Sequence, residues 1–174
     1  MNDYKTITIY GTGRYVYLST ADTKFDKDGE YHVTLEVDKE KAQEAKKAID
    51  GVIAKEIAKE HKAKPSTKPV ERGNLQYKDE GNIMTFKAKT QYKPLIVDRR
   101  NKELDPKISI WKGTTMWAEV ELRGYNKNNK IGCAVYLKQV QIDNLVKGTG
   151  NGVSHFQDRG EGSALPAPEQ KEIC

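Results

Sequence analysis

The 174-residue sequence predicts a mainly β domain: a small antiparallel barrel that carries one long helix and is followed by a flexible tail. Three observations predict it. The strand-like stretches alternate apolar and polar residues instead of running continuously apolar, which marks half-buried antiparallel strands. One stretch only has apolar residues at helical spacing. Residues 147–174 are rich in Gly, Ser and Pro and poor in large apolar side chains, so they bury too little surface to offset their ordering entropy.

The first element, TITIYGTGRYVYLST, is dense in β-branched and aromatic residues and reads as a strand bent at Gly11 and Gly13. After the turn KFDKDG, the stretch EYHVTLEV puts Tyr31, Val33, Leu35 and Val37 on one face and His32, Thr34 and Glu36 on the other. Asp38 suits the N-cap of a helix predicted over about residues 39–62. Its apolar stripe is Ala42, Ala45, Ile49, Val52, Ile53 and Ile57, and its lysines read as a solvated face. Gly51 lies inside this helix at a cost of about 1 kcal/mol against Ala.

Residues 64–82 form a polar connector. NIMTFKAKTQY then sends Met84, Phe86 and Ala88 inward and Thr85, Lys87, Lys89 and Gln91 outward. PLIVD is a short apolar strand and RRNKELDP a charged loop. TMWAEVELRGY sends Met116, Ala118, Val120 and Leu122 inward, and Trp117, Glu119, Glu121, Arg123 and Tyr125 outward. After an Asn/Lys turn, Ile131, Cys133, Val135 and Leu137 face inward while Tyr136 and Lys138 face outward. Val140 and Ile142 are out of phase with that set, which predicts a bulge near Gln139. The order of elements fits a five-stranded Greek-key barrel of the oligonucleotide/oligosaccharide-binding (OB) type, with the helix inserted after the second major strand. The domain spans residues 1–146 and the tail 147–174. A ubiquitin-like or cystatin-like α+β fold is equally compatible with the periodicity.

The net charge is +5, the pI about 9.0 and the mean hydropathy −0.80. No apolar run approaches the roughly 20 residues that cross a bilayer, and MNDYKTITIY lacks a secretory signal pattern. Cys133 and Cys174 match neither zinc spacing nor a disulfide framework, which points to a reducing, cytoplasmic compartment. His32, His61 and His155 are scattered singly, so no metal or other cofactor is expected. Gly11-Thr12-Gly13 is a fragment of a phosphate loop that a bent strand explains better. Glu119 and Glu121 read as a solvated face. The acids Asp98, Glu103 and Asp105 are interleaved with Arg99, Arg100 and Lys102. No catalytic constellation results, and the chain reads as a non-enzyme.

Aromatic and basic residues recur together on outward faces and loops. They are Arg14, Tyr15 and Tyr17 on the first strand, Lys87 and Lys89 on the third, and Tyr92 just beyond it. Arg99 and Arg100, Trp111 and Lys112, and Tyr125, Lys127 and Lys130 on the last hairpin complete the set. Binding single-stranded nucleic acid without sequence preference requires this mixture. Bases stack on the rings, at about 1–3 kcal/mol each, and cations track the phosphates.

The motifs Thr85-Phe86-Lys87-Ala88-Lys89, Ile96-Val97-Asp98, Gly124-Tyr125 and Gly132-Cys133-Ala134-Val135-Tyr136-Leu137 occur in this order after the helix. In that arrangement the chain resembles the single-stranded DNA-binding protein of short-tailed phages (podoviruses) over about residues 5–146. The resemblance implies an OB barrel carrying a helix. It implies coating and protection of single-stranded DNA in phage DNA replication, recombination and repair, with promotion of annealing, in the cytoplasm of the infected bacterial cell. It implies single-stranded DNA as partner, with phage replication proteins (polymerase, helicase-primase) and self-association as further contacts, and no membrane. Lys87, Lys89 and Tyr125 are the positions it carries over; the other residues named above rest on charge and exposure. The family's strongly acidic tail with a terminal aromatic residue has no counterpart in PAPEQKEIC. The alternative function is a small barrel that binds a protein partner, a phage structural or host-inhibitory protein, with no nucleic-acid role.

Overall fold

A computed structural model of the chain describes residues 4–24, 27–63 and 70–146; the predicted tail lies outside these residues. The elements in order are β1 (Lys5–Asp22), β2 (Glu30–Asp38), α1 (Lys39–Ala63), β3 (Glu71–Arg72), β4 (Tyr77–Asp79), β5 (Ile83–Thr90), β6 (Leu95–Val97), β7 (Thr115–Lys127) and β8 (Lys130–Asn144). The sheet runs β3-β8-β7-β1-β2-β5-β4, and β8 also pairs with β5. That pairing closes β1, β2, β5, β7 and β8 into a five-stranded barrel and excludes the open α+β alternatives.

β1 belongs to both halves of the barrel. Lys5 to Thr12 pair with β7 and Thr12 to Asp22 pair with β2, with a register shift at Arg14. The bend needs glycine for space: a Cβ on Gly11 would lie 2.6 Å from the Glu36 carbonyl oxygen. The second edge of β8 is filled by short parallel pieces: β3 at Lys130, Lys89 of β5 at Tyr136, and β6 at Gln139 to Gln141.

The core follows the inward set read from the alternation, except that Tyr31 is only half-buried while His32 and Thr85 of the outward set are buried. Val33, Leu35 and Val37 of β2 are buried, as are Met84 and Phe86 of β5, Met116 to Leu122 of β7 at even positions, and Ile131 to Leu137 of β8 at odd ones. The predicted bulge is present. Glu119 pairs with Gln139 but Val120 pairs with Leu137, so Lys138 is the extra residue and Val140 and Ile142 turn inward. α1 starts directly after Asp38 and covers the barrel with Ala42, Ile49 and Ile53 buried. The Tyr77 hydroxyl donates to Asp50 at 2.5 Å, tying β4 to the helix. The β7–β8 hairpin closes on Asn128 (φ 52°) and Asn129 (φ 67°), both left-handed as a two-residue type I′ turn requires. Asn126 is instead part of β7, and its amide donates to Glu60 of α1.

Candidate nucleic-acid interface

Residues directly opposite one another on paired strands share a face, so the register assigns neighbours on the barrel's outer wall. Tyr17 pairs with His32, His32 with Lys89, and Lys89 with Tyr136. One row therefore crosses β1, β2, β5 and β8. A second row joins Tyr15, Thr34 and Lys87. Tyr15 and Tyr17 are 59% and 41% exposed, and Lys87 and Lys89 are exposed beside them. Tyr92, just past β5, is 81% exposed, and its backbone N–H is held by the Thr90 hydroxyl at 3.1 Å.

His32 forms the floor of the first row. Its ring lies 4.7 Å from that of Tyr17, and its Nε2 is 3.0 Å from the Asp22 carboxylate. That contact, with the Lys24 backbone N–H, holds Asp22 below the usual carboxylate range. His32 thus fixes the ring of Tyr17 from below.

At the other end of the row the Arg123 guanidinium sits between two rings, 4.3 Å from the centre of Tyr4 and 4.6 Å from that of Tyr136. It also donates to Glu121 at 3.0 Å, and Lys138 reaches the same carboxylate at 3.5 Å. The Arg123 hydrogen bond is the main reason why Glu121 is held below its ordinary range. Lys89, Tyr92, Arg123, Tyr136 and Lys138 border a hollow of about 420 Å³. The face is a band of rings with exposed cations between them. Asp98 is occupied in its own loop, where it accepts the N–H groups of Arg100 and Lys102 at 2.8 and 3.0 Å.

The family model described as Enterobacter phage Enc34, ssDNA-binding protein, matches residues 8–160. The chain belongs to this family. Among solved structures it is similar to gp2.5, the single-stranded DNA-binding protein encoded by bacteriophage T7, with a TM-score of 0.70 and 22% identity over 87% of this chain and 98% of that one. It is also similar to the bacteriophage Enc34 single-stranded DNA-binding protein in complex with ssDNA, with a TM-score of 0.61 and 16% identity over 83% of this chain and 89% of that one. No curated protein matches the chain in sequence. The resemblance read from the Lys87–Lys89 strand and the last hairpin is therefore borne out at the level of the family, and the structural likeness bears out the barrel.

Within this phage ssDNA-binding family member the residues predicted from sequence separate into groups. Tyr15, Tyr17, Lys87, Lys89 and Tyr92 come together on the face just described. Arg14 starts at the same face but is committed elsewhere: its Nε is 2.6 Å from Glu36 and its Nη1 2.7 Å from Glu80. Those bonds raise its pKa and neutralise its charge locally. Tyr125 leaves the core face, as the alternation requires. It does not stand free, because its ring lies flat across Gly132, the residue opposite it, and its hydroxyl reaches Gly73 beside β3. Either glycine would clash with that ring if it carried a Cβ. Lys127 and Lys130 face each other at the exposed hairpin end.

Arg99 and Arg100 belong to another wall. Gln141 of β8 donates to the carbonyls of Asp98 and Arg99, and Arg99 lies 3.3 Å from Asp143. Asp143 also accepts from Tyr10, whose ring packs at a tilt against Trp117. Trp111 and Lys112 form a turn at the bend of β1, where Gly113 donates to the Gly13 carbonyl and Trp111 to that of Val146. Tyr136, Lys138 and Arg123 are legible as outward residues in the sequence, but only the β5–β8 pairing makes them neighbours of Lys89. Tyr4 precedes every strand signal, and its contact with Arg123 leaves no local trace in the sequence.

Proposed function

We propose that this protein binds single-stranded DNA without catalysis and coats and protects it during phage DNA replication, recombination and repair in the infected cell. The observation that carries the reading is the row Tyr17, His32, Lys89 and Tyr136, continued by Tyr92 and Arg123, on the outer wall of an OB barrel. In such barrels the face of the second and third barrel strands and the flanking loops take oligonucleotides, and here those strands are β2 and β5. Tyr15, Tyr17, Tyr92 and Tyr136 supply stacking surfaces, and Lys87 and Lys89 the phosphate contacts. Every base has a π-face and every nucleotide a phosphate, so the site tolerates any sequence. Residues 1–146 suffice for this binding, and the hairpin lysines Lys127 and Lys130 extend the basic rim. Membership of the phage ssDNA-binding family supports the same reading.

The test is a fluorescence titration with oligo-dT and with a duplex of equal length across a salt series. Tight, salt-sensitive binding of oligo-dT and much weaker binding of the duplex are expected. Absence of binding at low salt, or equal affinity for the duplex, refutes the proposal.

A further inference from the structure

The helix carries a feature that this DNA face does not use. Its lysines divide into two sets. Lys39 and Lys46 are neutralised, by Asp79 and Asp50, each at 2.9 Å, and Lys59 by Glu56 at 3.3 Å. Lys41, Lys47, Lys55 and Lys62 lie along another stripe, and among the described residues none of them has a carboxylate partner. They border a groove between α1 and the N-terminal half of β1 that continues to Gly124 of β7. It consists of two hollows of about 440 and 430 Å³ that share Lys5 and Ala48. From Lys41 to Lys62 the groove runs about 31 Å at 1.5 Å per helical residue. Ile7, Ala45, Ala48 and Val52 are among its apolar lining.

Gly51 also lines the groove, in mid-helix. A Cβ there would meet nothing within 4 Å, so crowding inside the chain does not require glycine. The residue costs about 1 kcal/mol of helix stability against Ala. What it supplies is a gap in the ridge of side chains, where another backbone can lie close to the helix.

We propose that this groove docks an acidic amphipathic segment of a partner protein. Carboxylates of the segment meet the unpaired lysines of the helical rim and Lys5 of β1 opposite them, and apolar side chains rest on Ala45, Ala48 and Val52. Six lysines line the groove against two acids, Glu44 and Glu56, and Glu56 is held by Lys59 at 3.3 Å. That imbalance favours an anionic occupant. A DNA strand fits less well because the floor is aliphatic. The one ring at its end, Tyr10, is already packed at a tilt against Trp117 at 4.9 Å and bonded to Asp143.

The test uses the full-length protein and a fluorescein-labelled synthetic peptide in which Glu and Asp alternate with Leu and Phe, followed by anisotropy. The wild type is expected to bind it, and excess oligo-dT is expected to leave the complex intact. Gly51→Leu fills the gap with a better helix former in open space, so it is expected to fold at least as well as the wild type. It is expected to weaken the peptide at least about tenfold by blocking the groove, as is the Lys47→Glu/Lys55→Glu pair by reversing two charge contacts. Oligo-dT affinity is expected to stay unchanged in both variants. Failure of the wild type to bind the peptide at low salt overturns the proposal. So does unaltered peptide binding by Gly51→Leu, and so does displacement of the peptide by oligo-dT. Loss of oligo-dT affinity in the variants would assign the groove to nucleic acid instead and overturn it as well.

Discussion

Replacing Lys87 and Lys89 by alanine tests the DNA face through the quantity that it controls most directly. The two side chains leave the same side of β5 two residues apart, roughly 6.7 Å along the strand. Both are exposed, and neither has a carboxylate partner among the described residues. Each phosphate neutralised on a single strand contributes about 0.7 to the slope of log affinity against log salt, so the double variant should lose about 1.4 from that slope. The loss vanishes towards 1 M salt and amounts to about 25-fold in affinity at about 0.1 M, or roughly 2 kcal/mol. Arg14→Ala is the control. It removes an equally basic residue from β1, two strands away across β2, but one whose charge is already answered by Glu36 and Glu80. Its slope should match the wild type. Anisotropy of labelled oligo-dT at four salt concentrations measures all three proteins, with thermal midpoints to establish folding. Parallel slopes for wild type and the double variant, or a slope lost by Arg14→Ala, would refute the assignment.

Tyr136→Ala should weaken oligo-dT by about 1–3 kcal/mol at any salt concentration, while Tyr136→Phe keeps the ring and should bind like the wild type; a loss of equal size in both would contradict stacking. Phe86→Ala empties a fully enclosed position between Leu35 of β2 and Tyr77 of β4 and should cost about 3–5 kcal/mol in urea unfolding, and a cost under about 1 kcal/mol would contradict the barrel core. Asp22, Asp79, Asp98 and Glu121 are all held below their ordinary range by hydrogen bonds in the fold. The stability they contribute is present above the unfolded carboxylate range and lost as pH falls through their folded values, so the thermal midpoint should drop below about pH 4. At the other limb, burial and the bond to Asp50 push the Tyr77 hydroxyl from 10.0 up to about 12, so its contribution is full below pH 10 and lost as pH rises towards 12. Tyr77→Phe should flatten that part of a stability–pH profile, and an unchanged alkaline limb would contradict the contact.

The outward and inward sides of β2, β5, β7 and β8 are legible because a period of two is local: every second residue reports the same environment. The helix and the bulge at Lys138 follow from the same bookkeeping of phase, since Val140 and Ile142 are buried only if one residue is skipped. What closes the barrel is not local. β6 is legible as the short apolar strand PLIVD, but β3 is two exposed residues, too short to carry any periodicity, and that both lie along the second edge of β8 is not written locally. The site shows the same division. That Lys87, Lys89 and Tyr136 face outward is written in the strand pattern, but their adjacency depends on one parallel contact between β5 and β8. Arg14 is neutralised in part by Glu80, 66 residues away, so no reading of its neighbours could separate it from a free cation. Tyr125 lies flat because Gly132 and Gly73 leave room for its ring, and Gly73 reaches it only through the course of the connector.

The distribution of free and committed cations carries more functional information than their number. With 30 Lys and Arg against 25 Asp and Glu, the net charge is modest. On the wall of the proposed DNA face, however, Arg14 and Arg123 both face carboxylates, and Arg123 also lies against two rings. Lys87 and Lys89 face none. The guanidinium is a planar fork that fixes geometry, which suits it to holding Glu36, Glu80 and Glu121 in place. The ammonium is a compact charge on a flexible stem, which adapts to a phosphate whose position shifts from one nucleotide to the next. The sequence-independent binding proposed above calls for rings that are held in place and charges on adaptable stems. Arg123, against the rings of Tyr4 and Tyr136, meets the first need and the lysines of β5 the second.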